Sequence, residues 1–226
     1  MRALLHNPGQ ASLFSGQPPA GLELVPVERA ALEASATRLA QNDQLPVFLA
    51  GLPDGAMLRQ LRSVGFAGPV IVLMETVSAL QTADLIYAGA DDVVSLPVAG
   101  CELMARVTAV SRRLHGISAG ALSVGALEFY LDGRHPRLHG EEIRLSAREY
   151  DIMRHLMLNV QRVVAKDAIY DALYALCALP PFDKIIDVYI CRLRAKLTKV
   201  RPGCGAYIET VPGRGYRMTA PVLQAA

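Results

Sequence analysis

Over the first 115 positions, short β-branched and leucine-rich runs alternate with longer stretches of helical periodicity. The runs predict strands at Arg2–Leu5, Leu22–Val27, Val47–Ala50, Val70–Met74 and Asp92–Val94. The stretches between them predict helices near 28–41, 55–64, 77–88 and 100–114. Such alternation implies parallel strands joined by right-handed crossovers, an α/β sandwich. The connection between the first two strands reads poorly as a helix, because Pro8, Gly9, Gly16, Pro18, Pro19 and Gly21 crowd it.

After Arg112-Arg113 the pattern changes. The run from His115 to Gly120 is a short Gly/Ser hinge, and the next 25 residues read as short strands broken by turns at Asp132-Gly133 and Gly140. Three helical segments follow, Ser146–Asn159, Lys166–Leu176 and Phe182–Val200, and then a pair of strands about Pro212-Gly213. A chain of 226 residues accommodates two ordinary domains. The expected organisation is a first domain at 1–115, a linker at 116–120 and a second domain at 121–226.

The net charge of +2 conceals an asymmetry. Residues 1–116 hold eight basic against ten acidic side chains and no lysine, whereas residues 117–226 hold fifteen against eleven. Only the second part has the bias that suits a polyanion. No stretch has the length and apolarity of a membrane span, and MRALLHNPG lacks the apolar core of a signal peptide, so a cytoplasmic protein without membrane association is expected. Cys101, Cys177, Cys191 and Cys204 show no C-x-x-C pair and no zinc-ligand spacing, which fits a thiol-reducing compartment and no metal. Walker A, G-x-S-x-G and H-E-x-x-H motifs are all missing, and His6, His115, His135, His139 and His155 are scattered, so neither catalysis nor a cofactor is expected.

The last predicted helix carries the most informative pattern. At about 100° per residue, Ile186, Ile190, Leu193 and Leu197 share one side, while Lys184, Val188, Arg192, Ala195 and Lys199 share the opposite one. A basic outward stripe alone is the ordinary solvated face of a helix. Its surroundings change that reading. The preceding helix ends near Pro180-Pro181, which allows a steep crossing into a major groove, and the following hairpin sets Arg214 between two glycines, at a tip suited to phosphates or a minor groove. Asp183 suits the helix N-terminus, and Asp187 is expected to orient a neighbouring basic side chain or cap a turn rather than touch DNA.

Leu145-Ser-Ala-Arg-Glu-Tyr150, Ile186-Asp-Val-Tyr-Ile-Cys-Arg-Leu-Arg-Ala-Lys-Leu197 and Tyr207-Ile-Glu-Thr-Val-Pro-Gly-Arg-Gly-Tyr-Arg217 together resemble the effector domain of OmpR/PhoB-type response regulators. The wording of the second motif is similar to the CtrA-like cell-cycle regulators of alphaproteobacteria. The resemblance implies an α/β receiver-like, flavodoxin-like domain followed by an α+β winged helix-turn-helix domain. It places Lys184, Val188 and Arg192 against bases or neighbouring phosphates, Arg194 toward the DNA backbone, Lys199 on the same basic stripe, and Thr210 and Arg214 on the wing. Arg192 is the first candidate for reading a guanine. Pro212 stands where many relatives carry Arg or Trp, which weakens the wing.

The first domain resembles a receiver in Pro69-Val-Ile-Val-Leu73 and in the run Gly89–Pro97. Receiver chemistry needs acids for Mg²⁺, a phosphoacceptor aspartate, a hydroxyl and a lysine. The matching positions hold His6, Asn7, Ala50, Met74 and Leu96, and Val93 replaces the aromatic switch. Asp54 is the nearest carboxylate but lies four residues late. Aspartyl phosphorylation is therefore expected to be absent, with the scaffold left to dimerise through a face that includes Asp91, Asp92, Glu102, Arg106 and Arg113. Thr82 replaces the basic partner of Glu102. The implied partners are double-stranded DNA at tandem half-sites, a second copy of the chain, and RNA polymerase. A second reading has the vacated receiver pocket bind an effector ligand or protein.

Overall fold

The computed structural model describes residues 2–6, 12–19, 22–40, 45–51, 55–117, 120–174 and 185–221. They form two compact units, Met1–Gly116 and Ile117–Ala226. Asn7, Asp54, Cys177, Lys184 and the Pro180–Asp183 run lie outside the described residues. Among the described residues no helix is long and apolar enough to cross a membrane.

The first unit is built on strands β1 (Arg2–His6), β2 (Glu23–Pro26), β3 (Val47–Ala50), β4 (Val70–Met74) and β5 (Asp92–Ser95). All pair in parallel, in the order β2-β1-β3-β4-β5. The unbroken apolar runs of β3 and β4 are central strands, and every residue of both is buried. The helices are α1 (Arg29–Ala34), α2 (Ala36–Ala40), α3 (Gly55–Ser63), α4 (Ala79–Tyr87) and α5 (Gly100–Leu114). The single helix expected over 28–41 is broken at Ser35, whose backbone leaves the helical region. Ser78 and Gln81 form a reciprocal capping box, so α4 starts two residues later than its periodicity suggested.

Right-handed crossovers put α1, α3 and α4 on one face of the sheet, because the chain advances in the same direction from β2 to β5. The last helix, α5, meets the edge strand β5, where its Arg106 pairs with Asp92 (3.0 Å). The β1–β2 connection holds no helix among its described residues 12–19. Instead Phe14 forms a parallel bridge with Val98, and Ser15 N donates to the Val98 carbonyl as Val98 N donates to that of Leu13 (3.1 and 3.0 Å). This strap crosses to the β5–α5 connection, where a Cβ on Gly100 would stand 2.9 Å from Pro19 Cδ.

The second unit opens with an antiparallel sheet of β6 (Leu122–Val124), β7 (Leu127–Phe129), β8 (Arg137–Leu138) and β9 (Glu141–Glu142). Then follow α6 (Ala147–Leu158), β10 (Val163–Val164), α7 (Lys166–Tyr174), α8 (Ile185–Val200), β11 (Ile208–Val211) and β12 (Gly215–Met218). The last two strands form a hairpin to which β10 adds a third strand, in the order β10-β12-β11. Ser146 and Glu149 cap α6 reciprocally. Two tyrosines fasten the opening sheet to the helical part: the Tyr150 hydroxyl donates to the Tyr130 carbonyl (2.6 Å), and the Tyr207 hydroxyl accepts from Ala126 N (3.0 Å). Burial raises the Tyr150 phenol well above its ordinary value, so it remains a donor. His155 on α6 is also buried; desolvation and then the Arg154 charge push its pKa down to about 4.

Candidate nucleic-acid interface

Helix α8 sorts its side chains as the periodicity predicted. Ile186, Ile190, Leu193 and Leu197 are fully buried in the unit's core. Burying four such side chains contributes on the order of 1.5–3 kcal/mol each, which sets which side of the helix faces outward. That side exposes Val188, Arg192, Ala195 and Lys199. Val188 is 42% exposed, an apolar side chain left in water one turn before Arg192. Lys184, which the same stripe includes, lies outside the described residues. Lys199 lines a cleft of about 530 Å³ together with Glu141, Glu142 and Lys196, so it has carboxylates nearby at the far end of the helix.

The hairpin after α8 is short because Val211 pairs with Gly215, leaving Pro212, Gly213 and Arg214 at the tip. Arg214 is exposed, and its amide donates to the Val211 carbonyl (3.0 Å). Gly213 has φ +68°, a conformation that favours glycine at this turn. Between the start of α7 and this wing lies an open cleft of about 390 Å³ lined by Lys166, Thr210, Arg214 and Tyr216 among others.

Arg194 and Thr210, singled out separately in the sequence, are brought together. The Arg194 guanidinium donates to the Ile208 carbonyl and to Thr210 Oγ1. Asp187 does orient a basic side chain, but that partner is Lys166 of α7 (2.8 Å), and the Tyr216 hydroxyl also donates to it. Lys166 and Tyr216 were not among the sequence candidates, since pairs 21 and 29 residues apart leave no local signature. Lys196 is a further basic residue turned inward: its Nζ donates to the Arg144 carbonyl (2.8 Å) and to Glu149 Oε2 (2.6 Å). Burial alone would raise the Glu149 carboxyl, but hydrogen bonds from Lys196 and Ser146 outweigh it and hold its pKa below the ordinary value.

In the first unit, His6, Ala50, Met74 and Leu96 all lie at the carboxyl ends of the parallel strands or just beyond, where doubly wound sheets place their sites. Ala50, Met74 and Leu96 are buried, and His6 Nδ1 lies 3.1 Å from the Val27 carbonyl oxygen. Asn7 lies outside the described residues.

The charged residues expected on a dimer face divide into two groups. Asp91 turns into its own unit, where it pairs with Arg62 (2.7 Å) and accepts from Val70 N (2.8 Å). Arg106 bridges Asp92 and Glu102 at 3.0 and 2.9 Å, and those two hydrogen bonds, Glu102 first, raise its pKa. Arg113 is exposed in the last turn of α5. Beside them α4 exposes Leu80, Ile86 and Tyr87.

A parallel five-stranded α/β unit followed by a winged-helix unit whose α8 turns basic side chains outward defines the class of DNA-binding response regulators. Comparison with known proteins narrows this. Residues 140–218 match the family described as "Transcriptional regulatory protein, C terminal". The chain is 34% identical over 173 residues to the cell cycle response regulator CtrA of Brucella anthropi, covering 75% of this chain and 74% of that protein. It has the same identity and coverage with CtrA of Brucella ovis. A solved response regulator, Thermotoga maritima DrrB, an OmpR/PhoB homologue, aligns over 97% of this chain and 99% of its own with 21% identity and a TM-score of 0.43. The chain belongs to the OmpR/PhoB family of DNA-binding response regulators, with a CtrA-like effector domain.

Proposed function

We propose that this regulator binds specific DNA sequences as a homodimer and controls transcription without aspartyl phosphorylation. The exposed row of Val188, Arg192 and Lys199, on a helix whose other side is entirely core, carries the DNA-reading part. Arg192 reads a base edge, with Val188 and Lys184 beside it. Lys199 and Arg214 meet phosphates, and Arg194 and Thr210 contribute through the position of the wing. Phosphates set affinity and its salt dependence, whereas base contacts set specificity. Phosphorylation independence is supported by the buried, apolar strand ends at Ala50, Met74 and Leu96, whose side chains offer no oxygen to Mg²⁺ and no cation to a phosphoryl group. The dimer face combines the exposed apolar side chains of α4 with Asp92, Glu102, Arg106 and Arg113 of β5 and α5. Two copies then read tandem half-sites about one helical turn apart, with RNA polymerase as the further partner.

Selection of bound sites from a random DNA pool tests the reading. A defined sequence whose affinity falls steeply with salt is the expected result, with Arg192→Ala weakening binding by roughly 5- to 150-fold and relaxing one base position. Lys199→Ala should weaken all sequences alike. Absent or salt-insensitive binding refutes the DNA-reading part. Small-molecule phosphodonor with Mg²⁺ should leave no acid-labile phosphate on the protein, and a label lost in Asp54→Ala refutes phosphorylation independence.

A further inference from the structure

The wing is fastened to the reading helix at two separate points. At the first, Arg194 of α8 donates from Nε and a terminal nitrogen to the Ile208 carbonyl (2.9 and 2.7 Å). The same terminal nitrogen donates to Thr210 Oγ1 (2.7 Å), so one guanidinium grips β11 at alternate residues. At the second, Asp187 of α8 accepts from the Tyr216 hydroxyl on β12 and from Lys166 Nζ at the start of α7. Burial, followed by the hydrogen bond to Asp187 and its charge, pushes the Tyr216 phenol up to about 12, so the hydroxyl keeps the proton it donates. Close to both points, the Gly215 backbone runs so near β10 that a Cβ there would stand 2.0 Å from the Val164 carbonyl oxygen. The residues beyond these fastenings, Pro212, Gly213 and Arg214, are exposed.

A two-stranded hairpin is marginal by itself, and β10 supports β12 over only two pairs. A loose wing has to be ordered when it meets DNA, and that entropy is subtracted from whatever its tip contributes. Hydrogen bonds to ionised groups, here a guanidinium and a carboxylate, are about twice as strong as neutral ones and hold such an element in advance.

We propose that Asp187 and Arg194 are positioning residues that latch the wing to the reading helix, so that Arg214 engages the DNA backbone only while Tyr216 and Thr210 are held. The proposal rests on the DNA-binding reading above and assigns Arg194 and Thr210 to this latch rather than to phosphates.

The test uses the full chain and its selected DNA site, titrated across salt concentrations, with Arg214→Ala, Tyr216→Phe and the double variant. Arg214→Ala should lower the salt slope by about one phosphate. Tyr216→Phe should reproduce most of that loss, and the double variant should be no worse than Arg214→Ala alone. Discrimination at the base assigned to Arg192 should stay unchanged in Tyr216→Phe. Additive losses overturn the latch, as does a collapse of base discrimination in Tyr216→Phe, which would place its effect on the reading helix itself. Amide exchange at Arg214 and Gly215 in the DNA-free protein decides the point independently. Faster exchange in Tyr216→Phe supports the latch, and unchanged exchange overturns it, even if the wild-type chain binds no DNA and the DNA-binding reading fails. If Tyr216→Phe does not fold, Asp187→Asn and Arg194→Lys replace it in both measurements, with the same outcomes.

Discussion

In the first unit the residues at the carboxyl ends of the strands, Ala50, Met74 and Leu96, are buried and apolar, whereas in the second the outward row of α8 presents Val188, Arg192 and Lys199 to solvent. Both units keep the architecture of their family, but one ends its strands in buried apolar side chains and the other turns a basic row outward. A phosphoryl site requires several charged groups held half out of water, and each costs stability unless it is paired. Replacing them with methyl-bearing side chains extends the core and leaves the strands in place. A DNA-reading helix makes no such demand, because its functional side chains point into water and its fold depends only on the opposite stripe. On the function proposed above, the scaffold of the first unit survives the loss of its chemistry, while the second keeps chemistry and scaffold on separate faces.

The largest effect that would sharpen this contrast comes from placing one carboxylate at the end of β3. Ala50→Asp places an acid at a site only 2% exposed, and should destabilise the protein by about 3 kcal/mol without gaining phosphoryl acceptance, since Met74 and Leu96 supply neither a hydroxyl nor a cation beside it. Thermal unfolding and phosphodonor labelling measure both halves; a stable, labelled variant would show that the edge retains its chemistry. A smaller effect belongs to the second unit. His155 binds its proton less readily folded than unfolded, so its contribution is complete above about pH 6.5 and is lost as pH falls toward about 4. Between pH 6.5 and 5 this amounts to about 2 kcal/mol, and His155→Leu should flatten the stability profile over that range. An unchanged profile would reassign the acid sensitivity to other groups. The smallest effect is expected at Arg106, whose ion pairs are solvent-exposed. Arg106→Ala should cost at most about 1 kcal/mol of stability and weaken self-association by no more than about fivefold in sedimentation equilibrium. A complete loss of the proposed dimer would assign its stability to charge rather than to the apolar surface of α4.

Much of this was legible in the chain because it is written in local periods. The runs Val47–Ala50 and Val70–Met74 became strands with the expected bounds, and the stripe Ile186–Ile190–Leu193–Leu197 became the buried side of α8. Less legible was whatever depends on residues distant in sequence. Nothing near Asp187 announces that Lys166 and Tyr216 converge on it, and nothing near Arg194 announces the Ile208 carbonyl as its acceptor. Asp91, which the family resemblance places on a dimer face, pairs with Arg62, a residue of α3 that no periodicity links to it. The crossover after β1 was obscure for a different reason. Its prolines and glycines argue against a helix, but they do not say where an extended segment will find hydrogen bonds.

That segment found them at Val98, and the order of assembly is constrained as a result. Residues 13–15 are synthesised early but have no partner strand until the end of β5 has emerged, so the first unit cannot close in step with its synthesis. Pairing across more than 80 residues of chain is slow to form compared with the neighbouring β3–β4 contacts. A nascent chain halted before Val98 lacks the backbone groups to which residues 13–15 bond among the described residues.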